Sequence, residues 1–230
     1  MQVDVYSDIA CPWCYVGKRR FEKALAAFPG GDRVRVVYRP YQLDPSTPAQ
    51  AGPLSERLAA KFGREQLPAM HARLHEVGAG DGIAFDFDSA LAANTLTGHR
   101  LLWHALAEYG RDTQAALKDR LLRAYFSEGA DIGDHPQLTA LAVDAGLDRD
   151  RTAAFLASDE GLAEVRREID EAREIGVTAV PTFVFQGKWA VQGAQETATF
   201  VKVLEQVTAE LGIDVTADAD NCADGACAVE

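Results

Sequence analysis

The sequence predicts an α/β fold, a small mixed β-sheet flanked by helices and interrupted by an inserted all-helical subdomain. Three stretches predict it: a β-α-β pattern from Met1 to Tyr41, helical patterns from Pro53 to Ile175, and a β-β-α pattern from Thr182 to Leu211. The boundaries follow as residues 1–50 with 176–212 for the sheet domain, 51–175 for the insertion and 213–230 for an acidic, flexible tail.

Gln2 to Ser7 alternates Val3 and Val5 with polar neighbours, the period of a half-buried strand. From Cys14 onward Gly17, Phe21, Leu25 and Phe28 recur at steps of three and four, an amphipathic helix closed by Pro29-Gly30-Gly31. Val34, Val36 and Val37 make Arg33 to Tyr41 a second strand. Pro45, Pro48 and Pro53 mark the change to helical character. The helices expected beyond them are Leu54–Phe62, Arg64–Val77, Ala90–Tyr109, Thr113–Ser127, Pro136–Ala145, Arg151–Ala157 and Glu160–Ile175, with Ile83 to Phe87 as a short extended link. Strand character returns in Thr182–Phe185 and Trp189–Gln192. Gln186-Gly187-Lys188 between them has hairpin-turn composition, and a helix Glu196–Leu211 follows.

The composition is that of an ordinary globular protein, with 47% hydrophobic and 25% charged residues. A formal net charge of −12 argues against a nucleic-acid partner, since phosphate binding draws on Lys and Arg. No segment reaches the roughly 20 apolar residues of a membrane-spanning helix, so no membrane partner is expected. Met1 to Ser7 carries Asp4 and has neither the basic start nor the apolar run of a secretory signal, which makes a cytoplasmic protein the expectation.

The four cysteines form two local pairs, Cys11-Pro-Trp-Cys14 and Cys222-Ala-Asp-Gly-Ala-Cys227. In a reducing compartment, such pairs point to redox catalysis or metal binding rather than a structural framework. Cys11 falls where strand gives way to helix, and the free N–H groups and dipole of a helix N-terminus stabilise a thiolate there. Pro12 suits the first turn. Cys14, one turn on, is placed to attack a mixed disulfide formed at Cys11. A C-x-x-C pair is also a common zinc half-site, but those usually sit in turns rather than opening a helix after a strand. No metal site and no bound cofactor are expected.

The run Asp8-Ile-Ala-Cys-Pro-Trp-Cys-Tyr-Val-Gly-Lys-Arg-Arg-Phe21 resembles the active-site segment of the DsbA-like oxidoreductases, especially their FrnE-type branch. Arg39–Pro45, Asn94–Leu102 and Val177–Phe185 resemble segments of the same family in the same order. The resemblance implies a thioredoxin-like fold and thiol–disulfide exchange or isomerisation on thiol- or disulfide-containing proteins and peptides. It further implies a cis bond before Pro181, which would set that proline against the cysteines and present the backbone of Val180 to a bound peptide. Trp13, Tyr15 and Val180 are then the expected substrate contacts. Related hydroxychromene-carboxylate isomerases and kappa-class transferases use glutathione, generally with serine in place of the attacking cysteine. This chain keeps both cysteines, so a glutathione-dependent isomerase or transferase is the alternative. In that alternative Asn94 and His99 would line a small-molecule pocket; packing and hydrogen bonding on a helix is their plainer role, and the same plain reading covers His71, His75, His104 and His135.

Cys222 and Cys227 lie in a tail with Asp214, Asp218, Asp220, Asp224 and Glu230 but no Lys or Arg. Acidic neighbours disfavour thiolates, which predicts slower nucleophiles than Cys11. Some FrnE-type relatives carry a similar pair, implying an accessory redox shuttle; an incidental pair, a zinc site or an intermolecular bridge are the other readings.

Overall fold

Strand β1 (Gln2–Ser7) lies inside a four-stranded sheet of order β2-β1-β5-β6, in a computed structural model that describes residues 1–212. β2 (Arg35–Pro40) runs parallel to it, while β5 (Thr182–Phe185) pairs antiparallel with β1 and with β6 (Trp189–Gln192). The period-2 pattern sends Val3, Val5 and Ser7 into the interior. Gln186 and Gly187, at φ 51° and 66°, turn the chain between β5 and β6, and the Lys188 N–H bonds the Phe185 carbonyl at 3.0 Å.

Helix α1 (Pro12–Ala27) covers one face of the sheet with α9 (Thr197–Glu210), and Phe21 packs against Phe183 and Phe200 with ring centroids 5.0 and 5.2 Å apart. The insertion contributes β3 (Gly52–Pro53), α2 (Leu54–Phe62), α3 (Leu67–Asp81), β4 (Leu91–Ala92), α4 (Leu96–Tyr109), α5 (Arg111–Ser127), α6 (His135–Asp144), α7 (Arg149–Leu156) and α8 (Leu162–Glu174). It has its own core, which includes Leu117, Leu121, Phe126 and Leu138 and extends to Ile9, Tyr15 and Val16 of the sheet domain. Helix α1 therefore serves two cores at once. Its polar side is tied to the insertion by ion pairs: Arg20 and Lys23 bind Asp81 of α3 at 2.7 and 2.8 Å, and Lys18, itself buried, pairs with Glu22 and with Asp119 of α5 at 3.1 Å.

The insertion also finishes the sheet. Gln114 of α5 accepts from the Tyr38 N–H and donates to the Tyr38 carbonyl, both at 3.0 Å, pairing with edge strand β2 as another strand would.

Most boundaries fall within two residues of expectation, and two helices differ by more. The helix expected over Ala90–Tyr109 begins only at Leu96, because Leu91 and Ala92 pair with Pro53 and Gly52 and Asn94 bonds outward. The Asn94 amide donates to the carbonyls of Pro45 and Thr47 while its oxygen accepts from Leu96 N, which holds the backbone extended. The helix expected over Arg64–Val77 opens with a 3₁₀ turn, Arg64–Gln66, and continues to Asp81, where Gly82 at φ 74° ends it. Helix α1 starts at Pro12, directly after Cys11, where the strand-to-helix change is expected.

Candidate active site

Cys11 is the N-cap of α1, in extended backbone at φ −101° and ψ 112°, and its carbonyl accepts the N–H of Cys14 at 3.0 Å. The first turn carries no acidic residue of its own to offset the positive end of the helix at this sulfur. The Val180–Pro181 peptide is cis, and the Cys11 thiol donates to the Val180 carbonyl across 3.6 Å. Gly17, one turn beyond Cys14, lets α1 approach this loop: a β-carbon there would lie 2.9 Å from Cγ of Pro181. Chain segments 164 residues apart thereby converge on two sulfurs, both buried.

The two thiols behave as one coupled acid. A hydrogen bond to Cys14 and then burial push the Cys11 thiol well above its ordinary value. Burial opposes ionisation of Cys14 too, but the hydrogen bond from Cys11, the charge of Lys118 and the Ser7 hydroxyl outweigh it and lower that thiol. The thiolate that sequence reasoning assigns to Cys11 is thus a charge held between two sulfurs: side chains favour Cys14, and the helix N-terminus favours Cys11.

Three charged or titratable groups lie buried behind the pair. Asp8 accepts from the Leu43 N–H at 2.8 Å and from His99 Nε2 at 3.2 Å. Burial opposes its charge, yet these bonds and the nearby Lys118 hold its carboxyl below the ordinary value. Burial lowers His99, so the imidazole is neutral and donates its Nε2 proton to Asp8. Lys118 of α5 is 1% exposed, with Nζ 3.5 Å from the Ser7 carbonyl, and burial pushes its pKa down to about 8.

A groove of about 270 Å³ opens beside Cys11 between the sheet domain and the insertion. Trp13, Leu54, Leu58, Leu74 and Phe126 give it an apolar wall, with the Arg57–Asp44 ion pair and Lys61 also lining it. Cys11 lines this groove and Cys14 does not. His71 lines it as well, stacked on Phe87 at 4.3 Å with a buried Nε2 that has no hydrogen-bond partner.

Cys11, Cys14, Val180 and Pro181 come together, and the half-buried Trp13 joins Cys11 in the groove wall. Tyr15, expected at the substrate surface, is instead 2% exposed: its ring meets Phe85 edge-on at 6.2 Å and its hydroxyl accepts from Arg19. One position past Cys14, it faces the core of the insertion rather than the groove. Neither Asn94 nor His99 lines the groove; Asn94 braces the start of α4, and His99 holds Asp8. Cys222 and Cys227 lie outside the described residues. Among the described residues no three His, Cys, Asp or Glu side chains are placed to hold a metal ion. Sequence reasoning missed Lys118, although a signal existed: it shares the buried face of α5 with Leu121, Leu122 and Tyr125, an apolar stripe in which a lysine is out of place.

The chain resembles known proteins along almost its whole length. It is 29% identical over 206 residues to the uncharacterized protein YwbO of Bacillus subtilis, covering 89% of this chain and 96% of that one. The crystal structure of a probable DsbA oxidoreductase, SCO1869 from Streptomyces coelicolor, superposes with a TM-score of 0.84 at 41% identity over 91% of both chains. The cytosolic disulfide reductase DsbM from Pseudomonas aeruginosa, solved with GSH, shares the fold at a TM-score of 0.65 and 19% identity, over 91% of this chain and 100% of that one. The model of the DSBA-like thioredoxin domain matches residues 2–220, which takes in the helix-capping cysteine, the cis-proline loop and the helical insertion together; the chain belongs to that family.

Proposed function

We propose that the protein is a thiol–disulfide oxidoreductase of the DsbA/FrnE type, with Cys11 as attacking thiol, Cys14 as resolving thiol and Pro181 closing the site beside them. The observation that carries this is the position of Cys11: it caps α1, touches the carbonyl before a cis-proline and ends an apolar groove that Cys14 does not reach. A substrate disulfide entering along the groove meets the Cys11 sulfur first. Attack forms a mixed disulfide and expels one substrate thiolate; Cys14 then attacks Cys11, releases the second thiolate and leaves a Cys11–Cys14 disulfide, two electrons having passed to the substrate. The same steps run backwards oxidise a dithiol, and direction follows the reduction potential of the pair against its surroundings.

The substrates are thiol- or disulfide-containing proteins or peptides, contacted by Trp13 and by the backbone of Val180, which precedes β5 and is half-buried. Glutathione is a second exchange partner, as the structure of DsbM with GSH suggests, and the cytosolic setting of DsbM supports a cytoplasmic location here. Cys222 and Cys227 serve as an accessory pair that exchanges with the main site; mass spectrometry of partly oxidised protein tests this, and an absence of disulfides between the pairs at every redox poise would remove it.

The deciding experiment is exchange against a glutathione redox series with thiol trapping. Cys11→Ser is expected to abolish exchange and Cys14→Ser to accumulate mixed disulfides. The apolar wall of the groove favours one second reading, a glutathione-dependent isomerase or transferase acting on a small apolar substrate. Saturable glutathione binding with turnover that survives Cys14→Ser would establish it instead.

A further inference from the structure

We propose that Lys118, carried in by the helical insertion, is the counter-ion and proton partner of the resolving thiol Cys14. The inference rests on the dithiol reading above and adds a residue to it from outside the sheet domain.

An ammonium with 1% exposure needs an anion or several acceptors, and Lys118 has one hydrogen-bond acceptor among the described residues, the Ser7 carbonyl at 3.5 Å. The Asp8 carboxylate forms no hydrogen bond with Lys118 and serves other donors: Oδ1 takes the His99 and Ala10 N–H groups, and Oδ2 takes the Leu43 N–H. Ser7 stands between the two, because its carbonyl accepts from Lys118 at 3.5 Å and its hydroxyl favours the charged form of Cys14. The anion that the ammonium lacks is therefore the Cys14 thiolate. Other groups bearing on Lys118 are Asp8 and Cys11 from the β1–α1 turn and Lys18 from α1. Neutral His99 of α4, Gln114 of α5, and Arg39 and Glu168 lie around a cavity of about 10 Å³ that Lys118 also lines, roughly the size for one water.

When a substrate is held on Cys11 as a mixed disulfide, the proton of Cys14 rests on Lys118, so that the two groups stand as an ammonium–thiolate pair. The resulting thiolate attacks Cys11 Sγ, the Cys11–Cys14 bond forms as the Cys11–substrate bond breaks, and the substrate sulfur leaves with the electron pair and takes a proton from solvent. Once the thiolate has become a disulfide, the ammonium has lost its partner, and burial drives off its proton toward the adjoining cavity. Charge on Lys118 thus stabilises the reduced pair and disfavours the oxidised one.

The test uses the full chain and the glutathione series. Lys118→Met is expected to shift the dithiol–disulfide equilibrium at neutral pH at least tenfold toward the disulfide, about 30 mV for a two-electron couple. It is also expected to move the release of mixed disulfide to higher pH. Lys118→Arg, which keeps the charge but cannot give up its proton, is expected to restore the equilibrium and not the pH step. A folded Lys118→Met with wild-type equilibrium and pH profile would overturn the inference. NMR titration of the Lys118 methylene beside Nζ in the wild-type chain gives a readout independent of folding in the variant: a pKa that drops on oxidation supports the pairing, and one equal in both redox states overturns it. A wild-type chain that exchanges with glutathione while these readouts stay unchanged removes the role of Lys118 alone; a wild-type chain that forms no Cys11–Cys14 disulfide removes both readings.

Discussion

Gly17 of α1 lies directly against Pro181: a β-carbon at position 17 would come within 2.9 Å of the proline ring and 3.5 Å of Ala194. Helix α1 and the cis-proline loop can meet only because one of them has no side chain at the crossing. Gly17→Ala would normally gain about 1 kcal/mol of helix propensity. Here the rigid ring and the α1 backbone must separate, so a net loss of about 1–2 kcal/mol is expected, with slower disulfide exchange as Cys11 moves from Val180. Denaturant unfolding and the exchange rate, measured on the same variant, check both effects.

The edge strand depends on Gln114, whose single amide satisfies both backbone groups of Tyr38. Gln114→Leu keeps the volume and leaves a buried N–H and C=O unpaired, at about 2–4 kcal/mol together. Hydrogen exchange should show the Tyr38 amide losing protection before the rest of β2.

Acid should unfold this protein in two stages with known signs. His99 is held neutral, so below pH 6.5 the unfolded chain binds the extra proton and stability falls as pH drops toward the lowered folded pKa of His99. Asp8 is held below 3.8, so its contribution, complete above that value, is lost as pH falls through its own lowered pKa. His99→Gln should flatten the first limb. Asp8→Asn should flatten the second while costing roughly 2–4 kcal/mol near neutral pH, since it removes the buried charge that accepts from the Leu43 N–H and His99. Unfolding midpoints from neutral to acid pH measure both.

Trp13 presents its ring to the groove beside Cys11. Trp13→Ala is expected to remove about 1–2 kcal/mol of substrate binding, a roughly five- to thirtyfold rise in KM for disulfide peptides. The rate with a small dithiol, which needs no groove, should hardly change; an equal loss with both would place the effect in the helix cap rather than in substrate contact.

Legibility in the sequence followed the range of the interaction. Leu54–Phe62, Thr182–Phe185 and Trp189–Gln192 appear in the structure with the bounds their patterns predict, because periodicity and neighbouring turns decide them locally. Ala90–Tyr109 lost its first turn because Asn94 bonds carbonyls almost fifty residues away, which no local pattern carries. Tyr15 was misplaced for a similar reason: position on α1 was clear, but which face the insertion would cover was not.

By itself the sequence determined the α/β class, the inserted helices and the two cysteines at a helix start, since period, capping chemistry and spacing act within a few residues. Only the tertiary structure decided that Lys118, Asp8 and His99 stand behind those cysteines, that Gln114 finishes the sheet and that a groove leads to Cys11 and not to Cys14. Those outcomes depend on how two cores dock across α1, where burial sets the charge of groups far apart in the chain.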